Sequence, residues 1–217
     1  GIYYPLDTKW IGKGGRIDWG RTGLSEAKCY ADLSSYEAIT KYPKFTADSV
    51  RFMHTDYFKE PMLGKVEDQL SGRMEPEKYT FPRFRSYTKE FVIKNLFPDV
   101  NYQGSFMMNG SKFLTSGVSG MTSTIIFHRN GKPFLYIESP SFFIDSDKLS
   151  SKSASIVILL GEDSISNVGV DVNYRNANRE VRILNDKNRN FNSPYEDSYH
   201  KIDIYCENIV WKIDEDK

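Results

Sequence analysis

Apolar residues in this chain come in short β-branched or aromatic runs separated by polar turns rich in Gly, Asn, Asp and Ser. The clearest case joins Thr124-Ile125-Ile126-Phe127-His128-Arg129 to Lys132-Pro133-Phe134-Leu135-Tyr136-Ile137 through Asn130-Gly131. Asn-Gly favours a type I′ turn, which needs positive φ at both central residues, so this stretch predicts a tight β-hairpin. It sits within residues 100–144, where two further strand-like runs flank it, and the rest of the chain repeats the same grammar.

Short strand pieces are expected around Trp10-Ile11 and Ile17-x-Trp19, divided by Gly12-Lys13-Gly14-Gly15. That glycine turn is no phosphate loop: Ile17 stands where GxGxxG needs glycine, and no GK[ST] ending follows. Residues 24–42 predict one helical turn capped by Ser25, then two strands. Residues 45–53 form a clearer strand, and residues 57–66 a less regular connection. Residues 70–78 are polar and turn-rich, the best place for a subdivision. Residues 79–87 alternate aromatic and basic residues around Pro82, which suggests an edge strand or an irregular entry. Residues 154–160 form the most hydrophobic strand. In residues 168–174, strict alternation places Val168, Val170, Val172 and Tyr174 on one face. After Asn176-Ala177-Asn178 comes a strand at 180–184, a wet loop at 185–197, and apolar faces Ile202/Ile204/Cys206 and Ile209/Trp211/Ile213.

Strands recurring about every 8–14 residues, with no helical pattern between them, exclude a βαβ sheet. The expected fold is all-β and mostly antiparallel, a sandwich or jelly-roll-like arrangement or an elongated sheet of consecutive strands, with at most one short helix. We expect residues 1–217 to form a single β domain.

Composition narrows the function classes. The 29 basic and 29 acidic residues balance, so no global field or basic block draws the chain to nucleic acid. No run approaches the ~20 apolar residues of a membrane-spanning helix. The N-terminus lacks the basic and apolar regions of a signal peptide, and both ends have the look of a segment cut from a longer protein. Hydrophobic content is 39%, with 14 Tyr and 14 Phe, so apolar mass is concentrated in rings suited to strands that bury one face. Cys29 and Cys206 allow one disulfide or two free thiols, and buried free thiols are the commoner use of such a pair.

Two pieces of the chain carry a resemblance. Tyr79-Thr80-Phe81-Pro82-Arg83-Phe84-x-Ser86-Tyr87 leads to Phe97-Pro98-Asp99-Val100-x-Tyr102-x-Gly104-Ser105-Phe106. Gly161-Glu162-Asp163-Ser164-Ile165 leads to Asp197-Ser198-Tyr199-His200-Lys201-Ile202-Asp203-Ile204-Tyr205. These resemble segments of very large uncharacterised secreted or envelope proteins of anaerobic Gram-negative gut bacteria. The resemblance implies an export-competent, all-β piece of a bigger molecule in a secreted, periplasmic or cell-envelope setting. It supplies no activity, catalytic residue or ligand.

Chemistry is nowhere concentrated in the sequence. His54, His128 and His200 have no second histidine nearby, so no metal site is expected. Ser198, His200 and Asp203 have triad residue types, but no nucleophile elbow surrounds Ser198. Asp145-Ser146-Asp147 starts like a calcium loop, yet it has Leu149 at position five and no glycine at position six. No catalytic residue, metal or cofactor is assigned. Ring-bearing residues in loop-like segments, Trp10, Trp19, Tyr57 and Tyr195, are the candidate ligand-binding set, since an exposed Tyr or Trp makes a platform for sugars or a protein anchor. The competing use of the same rings is to close the ends of the core. The function expected is a non-catalytic structural or binding module of a larger exported protein, meeting protein, lipid or glycan through an open sheet face. The alternative is a glycan-binding or glycan-active domain.

Overall fold

A computed structural model describes residues 1–70, 72–116, 122–185 and 193–215. It is all-β, and the paired strands run antiparallel. The only helical pieces among the described residues are single 3₁₀ turns at Gly20–Thr22 and Pro76–Lys78. The chain divides into two compact units. Gly1–Lys89 and Ser105–Leu114 make the first, Glu90–Gly104 and Thr115–Lys217 the second. The polar stretch 70–78 falls inside the first unit.

The first unit begins with β1 (Ile2–Tyr4), β2 (Lys9–Lys13), β3 (Arg16–Asp18), β4 (Cys29–Asp32) and β5 (Ser35–Ile39). The long hairpin β6 (Lys44–His54) and β7 (Met62–Gln69) follows, then β8 (Arg83–Ser86). The chain next supplies β9 (Phe91–Phe97) and β10 (Val100–Gly104) to the second unit, and returns as β11 (Met107–Asn109) and the start of β12 (Lys112–Ser116).

One edge of β6 is shared: its first half pairs with β5 and its second half with β4, while β7 follows its other edge. Ser49, at φ 53°, makes a bulge between Ala47 and Val50. The bulge shifts the alternation so that Ala47, Val50 and Phe52 all turn inward. Around Phe52 the core is built of rings. Phe84 stacks on it at 4.1 Å and Trp19 meets it edge-on at 5.0 Å, while Phe106 stacks on Phe113 at 4.6 Å.

Strand β7 occupies what the sequence suggested was an irregular connection. Its inward positions are Met62, Gly64 and Val66. Gly64 hides the apolar alternation, yet a side chain there would collide with the Arg85 carbonyl and the Phe84 ring.

The second unit continues with β13 (Ser123–Arg129), β14 (Lys132–Ser139), β15 (Ser141–Ile144), β16 (Lys148–Leu160) and β17 (Asp163–Arg175), then β18 (Glu180–Leu184), β19 (Tyr195–Asp197), β20 (Ile202–Ile204) and β21 (Asn208–Lys212). The Asn-Gly hairpin forms as expected: Arg129 faces Lys132, and Asn130 and Gly131 have φ of 51° and 74°. Strand β16 pairs with β15 along its first half and β14 along its second. Strand β17 divides in the same way between β19 and β18. Val170, Val172 and Tyr174 are buried, but Val168 faces solvent. Gly169, at φ 79°, lies in a register shift where the alternation changes phase, and Asn167 turns inward in place of Val168.

Candidate binding surface

The structure separates the four ring-bearing candidates. Trp19 and Tyr195 are fully buried, Trp19 in the first unit and Tyr195 in the second. A ring without solvent contact cannot stack on a sugar, so both serve the core. Burial also pushes the Tyr195 phenol up to about 12. Tyr57 is half-buried against His54, Phe106 and Phe113, with ring centroids at 4.4, 6.0 and 5.4 Å. Of the four, Trp10 alone is exposed, at 38%.

Trp10 does not stand alone. Register places Tyr3, Trp10, Ala38 and Phe45 directly opposite one another on β1, β2, β5 and β6. Directly opposed residues share a sheet face. Tyr36 lies two residues before Ala38 on the same face, with its ring centroid 5.0 Å from that of Phe45. The glycines of this face carry the rings: a methyl group added at Gly1 would meet the Trp10 ring, and one at Gly12 the Tyr36 ring. Beside these rings lies a groove of about 300 Å³ lined by Ala38, Ile39, Tyr42, Pro43, Phe45 and Leu70, with Lys44 and Asp68 as its charged members. The surface is thus aromatic, open and low in charge.

Four of the polar residues singled out from sequence, Ser198, His200, Asp145 and Asp147, are held in structural hydrogen bonds. In the β19–β20 turn, Ser198 Oγ donates to Asp163 Oδ1 (3.2 Å) and accepts from the Ser164 N–H (2.8 Å). Nδ1 of His200 lies 2.8 Å from Asp197 Oδ2. The His200 bond, with the Tyr199 and His200 amides, holds the Asp197 carboxyl below its ordinary range. Ser198 and His200 therefore each serve a different carboxylate. In the β15–β16 turn, Asp147 Oδ1 accepts the Ala177 N–H at 2.8 Å and Asp145 Oδ1 accepts the Ser146 N–H at 2.8 Å. Among the described residues no three His, Cys, Asp or Glu side chains gather as a metal site.

Cys29 and Cys206 are both free thiols, Cys29 buried and Cys206 half-buried. Burial pushes the Cys29 thiol far up, with Asp56 and Asp18 adding to the effect. Cys29 faces His54 across β4 and β6. The Nδ1 of His54, like the Nε1 of Trp19, is buried without a hydrogen-bond partner.

One other surface, not expected from the sequence, is a groove on β7, β8 and β11 lined by Lys65, Arg83 and Arg85. Its signal was the alternation of basic and aromatic residues around Phe84.

The class these features define is an all-β antiparallel protein with an open aromatic sheet face. No protein-family model, curated protein or solved structure matches the chain.

Proposed function

We propose that this chain is a non-catalytic binding module of a larger exported bacterial protein, and that it meets its partner through the Tyr3–Trp10–Phe45 face. The observation that carries this reading is the row of aromatic side chains on one open face of β1, β2, β5 and β6. Burying such rings against a partner releases water from large apolar surfaces without stranding charge. The exported setting rests on the resemblance of residues 79–106 and 161–205. A glycan is the favoured partner within this reading, because rings supported on glycine offer a flat face to a pyranose.

The test is a glycan array together with vesicle flotation, comparing the intact chain with Trp10→Ala. We expect wild-type binding to weaken by about tenfold or more in Trp10→Ala, with an unchanged far-UV circular dichroism spectrum. Binding untouched by Trp10→Ala, or turnover of polysaccharides or aryl glycosides, would count against the proposal.

A further inference from the structure

A second surface of the first unit carries a different chemistry. On β7, β8 and β11, Lys65 faces Arg85, which faces Met107; Glu67 faces Arg83, which faces Asn109. Lys112 on β12 faces Asn109 in turn. Between these rows Val66, Phe84 and Met108 are buried, so the Lys65 and Arg83 rows look outward. They line a groove of about 280 Å³.

The groove is positive. Lys65, Arg83 and Arg85 line it with Glu67 as its one carboxylate, and Glu67 Oε1 stands 3.9 Å from Lys65 Nζ. Lys112 adds a cation at the rim. Arg83 is already oriented. Its guanidinium lies 4.2 Å over the Phe81 ring and its Nε donates to the Thr80 carbonyl at 3.1 Å, so its two terminal nitrogens are not used by these contacts. The Arg85 side chain makes no hydrogen bond or ion pair among the described residues. Holding one fork still before the ligand arrives lowers the entropy lost on binding.

We infer that this groove is a binding site for an acidic oligosaccharide, a chain whose sugars carry carboxylate or sulfate groups. Strand geometry spaces Arg83 and Arg85 by ~6.7 Å along β8, and sets Lys65 ~4.8 Å to the side of Arg85. Cations arranged in two directions at this pitch suit repeated charges on a chain better than a single small ion. Asn109 supplies a neutral donor and acceptor for hydroxyl groups. Single-stranded nucleic acid fits less well, because its bases need exposed rings to stack on. Here Phe84, which lines the groove, is buried, and the nearby Phe81 ring lies under the Arg83 guanidinium. The site is separate from the Trp10 face, and its occupation does not depend on that reading.

Isothermal titration of the full chain tests it, with oligogalacturonate, dextran sulfate, a neutral maltooligosaccharide and oligo(dT) as probes. The expected result is binding of one or both anionic saccharides and not of the neutral one. The carboxylate and sulfate arms tell which group is read. Affinity should fall as salt rises, and Arg85→Gln should weaken it about tenfold. Arg83→Gln should act similarly, whereas Lys94→Gln, the same charge change on β9, and Trp10→Ala should leave it intact. Arg85 is exposed and unpaired, so its variant keeps the fold; thermal melting confirms this for each protein. The inference is overturned by silence on both anionic saccharides, equal binding of the neutral chain, oligo(dT) binding as tight as the saccharides, or equal losses in Lys94→Gln and Arg85→Gln.

Discussion

At the scale of single residues, the first unit is held by rings that meet at Phe52. Each favourable aromatic pair contributes ~0.5–1.5 kcal/mol beyond the area it buries, which helps a core that also contains the unpaired Trp19 Nε1 and His54 Nδ1. His54 is the acid-sensitive member. Burial, chiefly, lowers its pKa, with Asp56 opposing and Lys28 adding to the shift. The unfolded chain therefore binds more protons than the folded one once pH falls below ~6.5. Stability contributed by neutral His54 is complete above that pH and declines from there toward the lower folded pKa. Urea midpoints taken between about pH 7.5 and about pH 5.5 should fall in the wild type. In His54→Gln that slope should flatten; a slope equal to that of the wild type would assign it to another group. None of this was legible beforehand, since what sets His54 apart is Cys29 opposite it and Tyr57 over it.

At the scale of elements, turn chemistry proved more readable than face assignment. Asn130-Gly131 closes its hairpin because both residues adopt the left-handed conformation that the turn requires. The alternation in residues 168–174 named Val170, Val172 and Tyr174 correctly and misplaced Val168, because Gly169 interrupts the phase. Replacing that glycine places a side chain in the left-handed region. Gly169→Ala should therefore cost ~1–2 kcal/mol, seen as a lower urea midpoint with an unchanged m-value, whereas Val168→Ser on the solvent face should stay within ~0.5 kcal/mol of wild type. In the final strands the apolar face of Ile202 and Ile204 is not covered: Ile202 is exposed and Ile204 half-buried. Two-residue periodicity says which side chains point together, and not whether anything covers them.

At the scale of the whole molecule, the interleaved chain matters more than any composition boundary. Residues 105–114 belong to the first unit although residues 90–104 belong to the second. A fragment ending at Lys89 lacks β11, the partner of β8, and lacks Phe106, whose ring meets those of Phe52, Phe58, Phe84 and Phe113. Residues 1–89 alone should therefore show weak near-UV circular dichroism and bind a hydrophobic dye, while the full chain does neither. A cooperative, dye-negative fragment would mean that the return segment is dispensable. By itself the sequence determined the all-β class, most strand positions and the Asn-Gly turn, because alternation, β-branching and positive-φ residues act over a few neighbours. Only the tertiary structure decided that Trp19 is core and Trp10 surface, that Gly64 lies in a strand, and that Lys65, Arg83 and Arg85 line one groove. Those outcomes depend on strands far apart in the chain meeting in one register, and on which face another layer of side chains covers.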